Sequence, residues 1–501
     1  MSEEEEKAPA YSWYALGVLF LVYLLNFVDR QILSILANDI KADLELDDAQ
    51  LGFLYGTAFA IFYALFGIPL GRLADTWSRT RLLASGIALW SCMTALSGFA
   101  RNFATLTVAR IGVGVGEASS APTCYSMISS MFPPRMRGLA MGIFSAGLFT
   151  GSGLSLLIGG TIVERWNAAF PDGGPLGLVG WQAAFLIVGL PGLGLALWVL
   201  SLREPPREQT FERPFADFAR QVAQIVPPFT LLGAARAGRG PFLRNLTVAA
   251  GLALLAWALS RATGNNQQFW FWTVGLYAVA SWAAHLKRTD PEAYSLTFGS
   301  AAFMGIVVAY GTICFLGYSV SFFAAPYAER TFELSKGDLG LLIGAPNALG
   351  GFLGVIGGGK LADILAPRHV GGRVMVFLVA LFASVPVFLV GYMAESLTVF
   401  LVCNFLAQFV TSSALGAGAA ATQSLITPRM RGVATAIYLL GATLIGLSLG
   451  PFTAGYVSEM TGSLAQGVMA TLAIVPVGLL ATYVAVRGMP RQLERLGAAV
   501  S

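Results

Sequence analysis

The chain has 501 residues, 56% of them hydrophobic and only 12% charged, with a formal net charge of +4. Soluble domains carry about 25% charged residues, so a soluble globular protein is excluded: it would have too few polar side chains to cover its surface. The small positive balance is set by short loops and points to no nucleic-acid partner.

The N-terminus, MSEEEEKAPA, is acidic and lacks the basic n-region of a cleaved signal peptide. The first apolar run is therefore expected to stay in the mature chain. No charged residue occurs from Tyr11 to Val28 or from Leu51 to Leu70, and a bilayer-crossing helix needs about 20 such residues. Apolar runs predict spans near 13–37, 49–71, 82–100, 103–131, 137–163 and 179–201. A basic, proline-containing stretch runs from Leu202 to Arg244, followed by shorter runs at 245–260 and 268–286. A second set of six spans falls near 298–325, 337–361, 373–394, 396–426, 432–458 and 465–486. The expected organisation is an N-terminal six-helix bundle (1–201), a cytoplasmic linker with an extra hydrophobic hairpin (202–297), a C-terminal six-helix bundle (298–486) and a cytoplasmic tail (487–501). Two crossings by the hairpin keep both bundles in one orientation; a pair of interfacial helices is the alternative.

Charge placement supports this topology. Lys41, Arg101, Arg165, Arg261, Arg330 and Lys336 fall on the outer side, Arg30 and Arg110 lie within spans, and the rest of the 31 Lys and Arg fall on the side of the N-terminus. That is the positive-inside asymmetry, with both termini cytoplasmic. The first outer loop, NDIKADLELDDAQ, is correspondingly acidic.

Two short sequences recur. PRMRG stands at 134–138 and at 428–432, just after the fourth span of each set, and GRLAD at 71–75 is echoed by GKLAD at 359–363. Near-constant offsets of 294 and 288 residues describe two homologous six-span halves in parallel orientation, an arrangement known from membrane transporters.

GRLADTWSRTR (71–81) and RIGVGVG (110–116) resemble the second-to-third-loop motif and the fourth-helix Arg-Gly-Gly motif of the major facilitator superfamily. Within it, NFVDRQILS (26–34), GVGEASSAP (114–122) and FPPRMRG (132–138) are similar to the Spinster branch, particularly its bacterial members. The resemblance covers nearly all of the chain outside 202–297. It implies an all-α membrane protein of the major facilitator fold, two parallel six-helix halves, in a bacterial inner membrane. It further implies a monomer that moves lysophospholipids or sphingoid phosphates by alternating access with proton coupling. Thr76 and Ser78 depart from the loop motif, which usually has Arg and Gly there. A Gly-Pro run characteristic of helix five in drug antiporters sits instead on helix eleven, in GLSLGPFTAG (446–455), which weakens a drug-antiport reading.

The duplicated residues suggest a cytoplasmic gate: Asp75 and Asp363 beside Arg135, Arg137, Arg429 and Arg431. The same arginines also serve positive-inside topology. What is not duplicated is more telling. The offsets place Asp29 on Gly317, Arg30 on Tyr318, Arg110 on Asn404 and Glu117 on Thr411. Shared architecture cannot require charges that the sister half lacks. Asp29, Arg110 and Glu117 are therefore expected to couple transport to protons; the alternative is a static network joining helices one and four. Arg110 and Glu117 are seven apart and share a helix face; Arg30 lies about 100° from Asp29 and either faces the cavity or snorkels outward. Asn26, Arg30, Arg110, Tyr318, Asn404 and Thr411 are the candidate substrate-binding residues. A cavity charged on one side and apolar on the other suits an amphiphile with one anionic head. A symporter of small organic anions and a non-transporting lipid sensor or scramblase are the competing readings.

No cofactor is expected. Gly354, Gly359 and Lys360 imitate a phosphate-binding loop, but Leu361 replaces the Ser or Thr it needs and no strand precedes it. The cysteines, Cys92, Cys124, Cys314 and Cys403, sit in apolar runs without metal-site spacing. No nucleophile stands beside a histidine base, which argues against an enzyme.

Overall fold

The computed structural model describes residues 8–205 and 214–500, and every regular element among them is helical. The first half contributes α1 (Ala10–Asp43), α2 (Asp48–Tyr55), α3 (Thr57–Thr76), α4 (Arg79–Ser97), α5 (Phe103–Glu117), α6 (Ser120–Met131), α7 (Pro134–Ala169) and α8 (Gly180–Leu200). Between the halves lie α9 (Pro214–Ile225), α10 (Phe229–Arg236), α11 (Arg239–Thr263), α12 (Asn266–Thr289) and α13 (Pro291–Leu296). The second half contributes α14 (Ala301–Phe332), α15 (Lys336–Leu339), α16 (Ala345–Leu365), α17 (Gly372–Met393), α18 (Leu397–Ser412), α19 (Ala414–Ser424), α20 (Arg431–Leu440), α21 (Ser448–Thr461), α22 (Leu464–Ala470) and α23 (Val475–Val500). The sequence boundaries shift mainly at the end: α23 continues to Val500, so the expected tail is the last turns of that helix.

Eleven helices among the described residues are long and apolar enough to cross a membrane, fewer than the fourteen expected. The remaining candidates are α4, α12 and the α5–α6 pair. Arg79 and Arg81 occupy the first turn of α4, α12 opens on Asn-Gln-Gln and closes on Lys-Arg, and the predicted span 103–131 is broken at Ala118–Ser119. Its sister breaks at Ser413, between α18 and α19, the same offset of 294 from Ser119. The break is thus a duplicated feature of the backbone, placed just beyond Glu117 in one half and Thr411 in the other.

The residues cluster into two compact units that do not follow the sequence halves. The first comprises residues up to Leu44, Phe66–Gln221 and Leu334–Ala348; the second comprises Glu45–Leu65, Val222–Glu333 and Leu349 onward. Each unit thus borrows one segment from the opposite half.

In the first unit, α7 presents small residues to α1: a Cβ at Gly151 would collide with the Leu24 carbonyl, and Ser155 donates to the Val28 carbonyl at 2.8 Å. Close approach of this kind is how helices associate where no water drives them together. The borrowed segment 334–348 also packs on α7, where Gly340 comes within 2.5 Å of the Leu157 Cα for any added Cβ.

In the second unit, Asp47 and Gln50 form a reciprocal cap on α2, with distances of 2.6 and 3.0 Å. The borrowed segment then lies on α21 so tightly that a Cβ at Gly56 would strike the Leu447 carbonyl. Residues 441–447, just before α21, form a π-helical segment, which changes the hydrogen-bond register and leaves carbonyls for other donors. The hairpin uses them. Trp272 donates to the Leu444 carbonyl at 3.1 Å, and Gln268 to the Ser448 carbonyl at 3.2 Å. Thr57 lies 2.6 Å from Gln268 and 2.7 Å from the same Ser448 carbonyl. Phe271 adds edge contacts to Phe53 and Phe62.

Candidate functional site

Asn26, Asp29 and Arg30 lie in the middle of α1, while Arg110 and Glu117 lie on α5. All five are buried: Asp29 and Arg110 are 0% exposed, Glu117 1%, Asn26 2% and Arg30 6%. Arg30 resolves its sequence ambiguity by turning inward. Its Nε and Nη2 both donate to Oε2 of Glu117, at 3.1 and 2.6 Å, and its guanidinium covers the Phe27 ring at 4.7 Å. Arg110, on the same face of α5 as Glu117, reaches the Asp29 backbone carbonyl at 3.5 Å. The Asp29 carboxylate faces the charges of Glu117 and Arg110 and lies beside the Trp90 indole. Four charges of both signs are therefore packed into one buried cluster. The arrangement can hold or exchange a proton and can offer a guanidinium to an anion, provided Glu117 releases it.

The sister positions are filled differently. A Cβ at Gly317 would meet Thr411 Oγ1 at 3.1 Å, so the counterparts of Asp29 and Glu117 touch by packing alone. Thr411 turns its hydroxyl back to the Ala407 carbonyl at 2.8 Å. Asn404 is 2% exposed and Tyr318 half-buried.

The candidate gate residues lie at the surface. Asp75, Asp363, Arg135, Arg137, Arg429 and Arg431 are all exposed. Arg137 donates to the Phe132 carbonyl at 3.1 Å, and Arg429 pairs with Asp290 at 2.9 Å. Asp290 caps α13, and the Ala293 backbone N–H together with Arg429 holds its carboxyl below the ordinary value. The Arg429 partner is thus a linker residue that the motif comparison did not single out.

The first-half loop motif carries another unforeseen network. Arg79 is 4% exposed and donates to Glu204 at 3.2 Å, Ser130 at 2.8 Å and the Pro205 carbonyl at 2.8 Å. Glu204 also accepts from the backbone N–H groups of Arg79 and Thr80 and from the Ser78 hydroxyl. Burial works to raise the Glu204 carboxyl, but these donors outweigh it and bring it down to about 2.

At the opposite end of the spans, ion pairs join the two sequence halves within each unit. In the second unit Arg330 forks onto Asp48 with two contacts of 2.9 Å, and Ser458 donates to the same carboxylate at 2.7 Å. In the first unit Lys336 pairs with Asp39 at 2.7 Å and donates to the Ile35 carbonyl at 3.0 Å, while Glu164 accepts from the Gly337 N–H at 3.0 Å. The signal was in the sequence: Asp39 and Asp48 belong to the acidic outer loop, and Arg330 and Lys336 are two of the few outer cations.

Comparison with known proteins places these features in context. The family model described as Major Facilitator Superfamily matches residues 19–313 and 307–499. An MFS-type efflux pump of Mycolicibacterium smegmatis is 27% identical over 455 residues, covering 91% of this chain and 86% of that protein. A hexuronate transporter of Bacillus subtilis is 31% identical over 210 residues, covering 42% of this chain and only 46% of that protein. Among solved structures, a bacterial homologue of the human lysosomal transporter Spinster, inward-facing and unoccupied, superposes with a TM-score of 0.74. It is 24% identical, over 97% of this chain and 99% of that one, a likeness of fold.

Proposed function

The chain belongs to the Major Facilitator Superfamily, and from that premise we propose that it is a proton-coupled secondary transporter working by alternating access on an amphiphile with one anionic head. The observation that carries this reading is the buried cluster of Asp29, Arg30, Arg110 and Glu117 in one half of a duplicated chain. With all four groups ionised the cluster is neutral. An anionic head admitted beside it leaves one uncompensated charge in the membrane interior, where a lone charge costs about 2.5–3.5 kcal/mol on the lenient insertion scale. A proton taken by Glu117 restores neutrality and frees Arg30 to meet the head. Asp29 is the second proton-responsive group, because a carboxyl whose distance from a guanidinium changes between two conformations changes its proton affinity.

Arg110, fully buried here, meets the anionic head only in a state that opens the α1–α5 contact. Asn26 borders the same charges; Tyr318, Asn404 and Thr411, the candidate binding residues of the second half, carry no charge. The pairs Asp48–Arg330 and Asp39–Lys336 clasp the outer end in this state. Asp75 and Asp363, with Arg135, Arg137, Arg429 and Arg431, form the cytoplasmic clasp of the opposite state, in a monomer whose termini are cytoplasmic.

A second reading, symport of small organic anions, is favoured by the similarity to a hexuronate transporter. Ligand-induced stabilisation of the detergent-purified chain separates the two. Single-chain phospholipids with anionic heads are expected to stabilise it more than hexuronate-sized anions at equal concentration. The reverse order would replace the lipid reading with the small-anion one.

A further inference from the structure

A groove of about 510 Å³ opens on the side of the first unit, away from the buried charge cluster. One wall is a face of α4 and the turn before it: Trp77, Arg81, Ala84, Ser85 and Ala88. The other is a leucine-rich face of α8, where Leu197 is 69% and Leu200 50% exposed. The small side chains at 84, 85 and 88 form the trough, because nothing larger than a methyl or hydroxymethyl fills the seam between the helices. The composition changes along its length. Toward mid-membrane the lining is apolar; at the cytoplasmic end it finishes on a tryptophan and an arginine. That end is also where α9 docks, with Phe215 against Trp77 at 5.0 Å between ring centroids and Phe218 packed on Leu73, Ala74 and Leu82.

Arg81 is the decisive residue. Arg79, two positions earlier, is buried and occupied by Glu204 and Ser130. Arg81 is exposed, and its guanidinium has no carboxylate or hydrogen-bond acceptor among the described residues. A cation without a counter-ion among the described residues, at the headgroup end of an apolar trough, is complementary to one class of molecule.

We propose that this groove is a binding site for an anionic phospholipid of the cytoplasmic leaflet, its phosphate on Arg81 and one acyl chain between α4 and α8. The volume falls within the range of small-molecule sites, about 300–1,000 Å³. Basic pockets between helices on the cytoplasmic side take anionic headgroups for the same electrostatic reason, and an interfacial tryptophan fits the boundary between headgroup and chain. The site is independent of the proposed transport substrate, and its test does not depend on transport.

Native mass spectrometry of the full chain, delipidated and then offered phosphatidylglycerol or phosphatidylcholine of matched chains, measures the preference directly. Phosphatidylglycerol is expected to be retained preferentially. Arg81→Gln should reduce that retention about tenfold, the scale of one charge-assisted hydrogen bond. Ala88→Phe, which fills the trough, should reduce retention of both lipids. Arg72→Gln removes an equal charge from the nearby end of α3, outside the groove, and should leave the preference intact. Equal losses in Arg72→Gln and Arg81→Gln would mean diffuse surface attraction and overturn the proposal. So would undiminished preference in Arg81→Gln, or competition by millimolar inorganic phosphate as effective as the lipid itself, which would reveal a free-anion site.

Discussion

Glu117 accepts both of its short contacts from one guanidinium, that of Arg30, so the two charges are an interdependent pair. Removing one partner of a buried pair strands the other, at a cost of about 3–5 kcal/mol, whereas replacing both with apolar groups is often neutral. Arg30→Ala is therefore expected to lower thermal stability in detergent far more than Arg30→Met combined with Glu117→Leu. Equal losses in the two proteins would show that the pair does not act as a unit. Glu204 supplies a pH-dependent counterpart outside the membrane. Its carboxyl sits at about 2 in the folded protein against an ordinary 4.5. A depressed carboxyl contributes stability that is complete above the unfolded value and vanishes as pH falls through the folded one. Unfolding curves of wild type and Glu204→Gln should thus differ most above pH 4.5 and converge toward pH 2. Sequence comparison found Asp29, Arg110 and Glu117 because their sister residues are uncharged. It did not assign Arg30 to Glu117, since a 100° offset on one helix says nothing about how far a long side chain reaches across to the next. Nor did it find Glu204, whose donors converge only after α3, α4 and the end of α8 are folded.

Helices were easier to read than their interruptions. Charge-free runs gave the spans, but the breaks at Ala118–Ser119 and Ser413 lie inside predicted spans, beside Glu117 in one half and in the uncharged Thr411-Ser412-Ser413 run in the other, with no shared residue pattern to mark both. The hairpin illustrates the same limit. Its two apolar runs were evident, yet its attachment depends on the Leu444 carbonyl within the π-helical segment 441–447 and the Ser448 carbonyl just after it, and irregular backbone of that kind leaves no composition signal. The Gln268 amide and the Trp272 indole reach those carbonyls from α12. Gln268→Leu is expected to destabilise the protein by about 1 kcal/mol, the usual size of an interhelical hydrogen bond in membranes. The Gln268→Leu loss should shrink when Thr57→Val is already present, because the two side chains share the Ser448 carbonyl. Full additivity, measured by denaturation in mixed micelles, would mean that the cluster is not cooperative.

At the scale of the whole molecule, duplication explains most of the architecture, and its exceptions are the residues to which the proposed chemistry is assigned. The recurring PRMRG and GRLAD-like segments made the two parallel halves legible. The motifs directed attention to the cytoplasmic end; the pairs Asp48–Arg330 and Asp39–Lys336, which the motifs do not contain, lie at the outer end. Both ends must carry breakable contacts if the protein alternates. Those outer pairs join the first half to the second, and on the proposed reading the buried cluster supplies the bias that breaks them.

The central claim is that protonation of Asp29 and Glu117 shifts the balance between outward-open and inward-open states. Spin labels at Ala42 and Thr331, near the outer ends of α1 and α14, report on it by double electron–electron resonance in nanodiscs as pH is lowered. The wild-type distance distribution is expected to redistribute between two populations, and the shift to shrink in Asp29→Asn and in Glu117→Gln, because an amide cannot change charge. An unchanged pH response in both single variants would contradict the account.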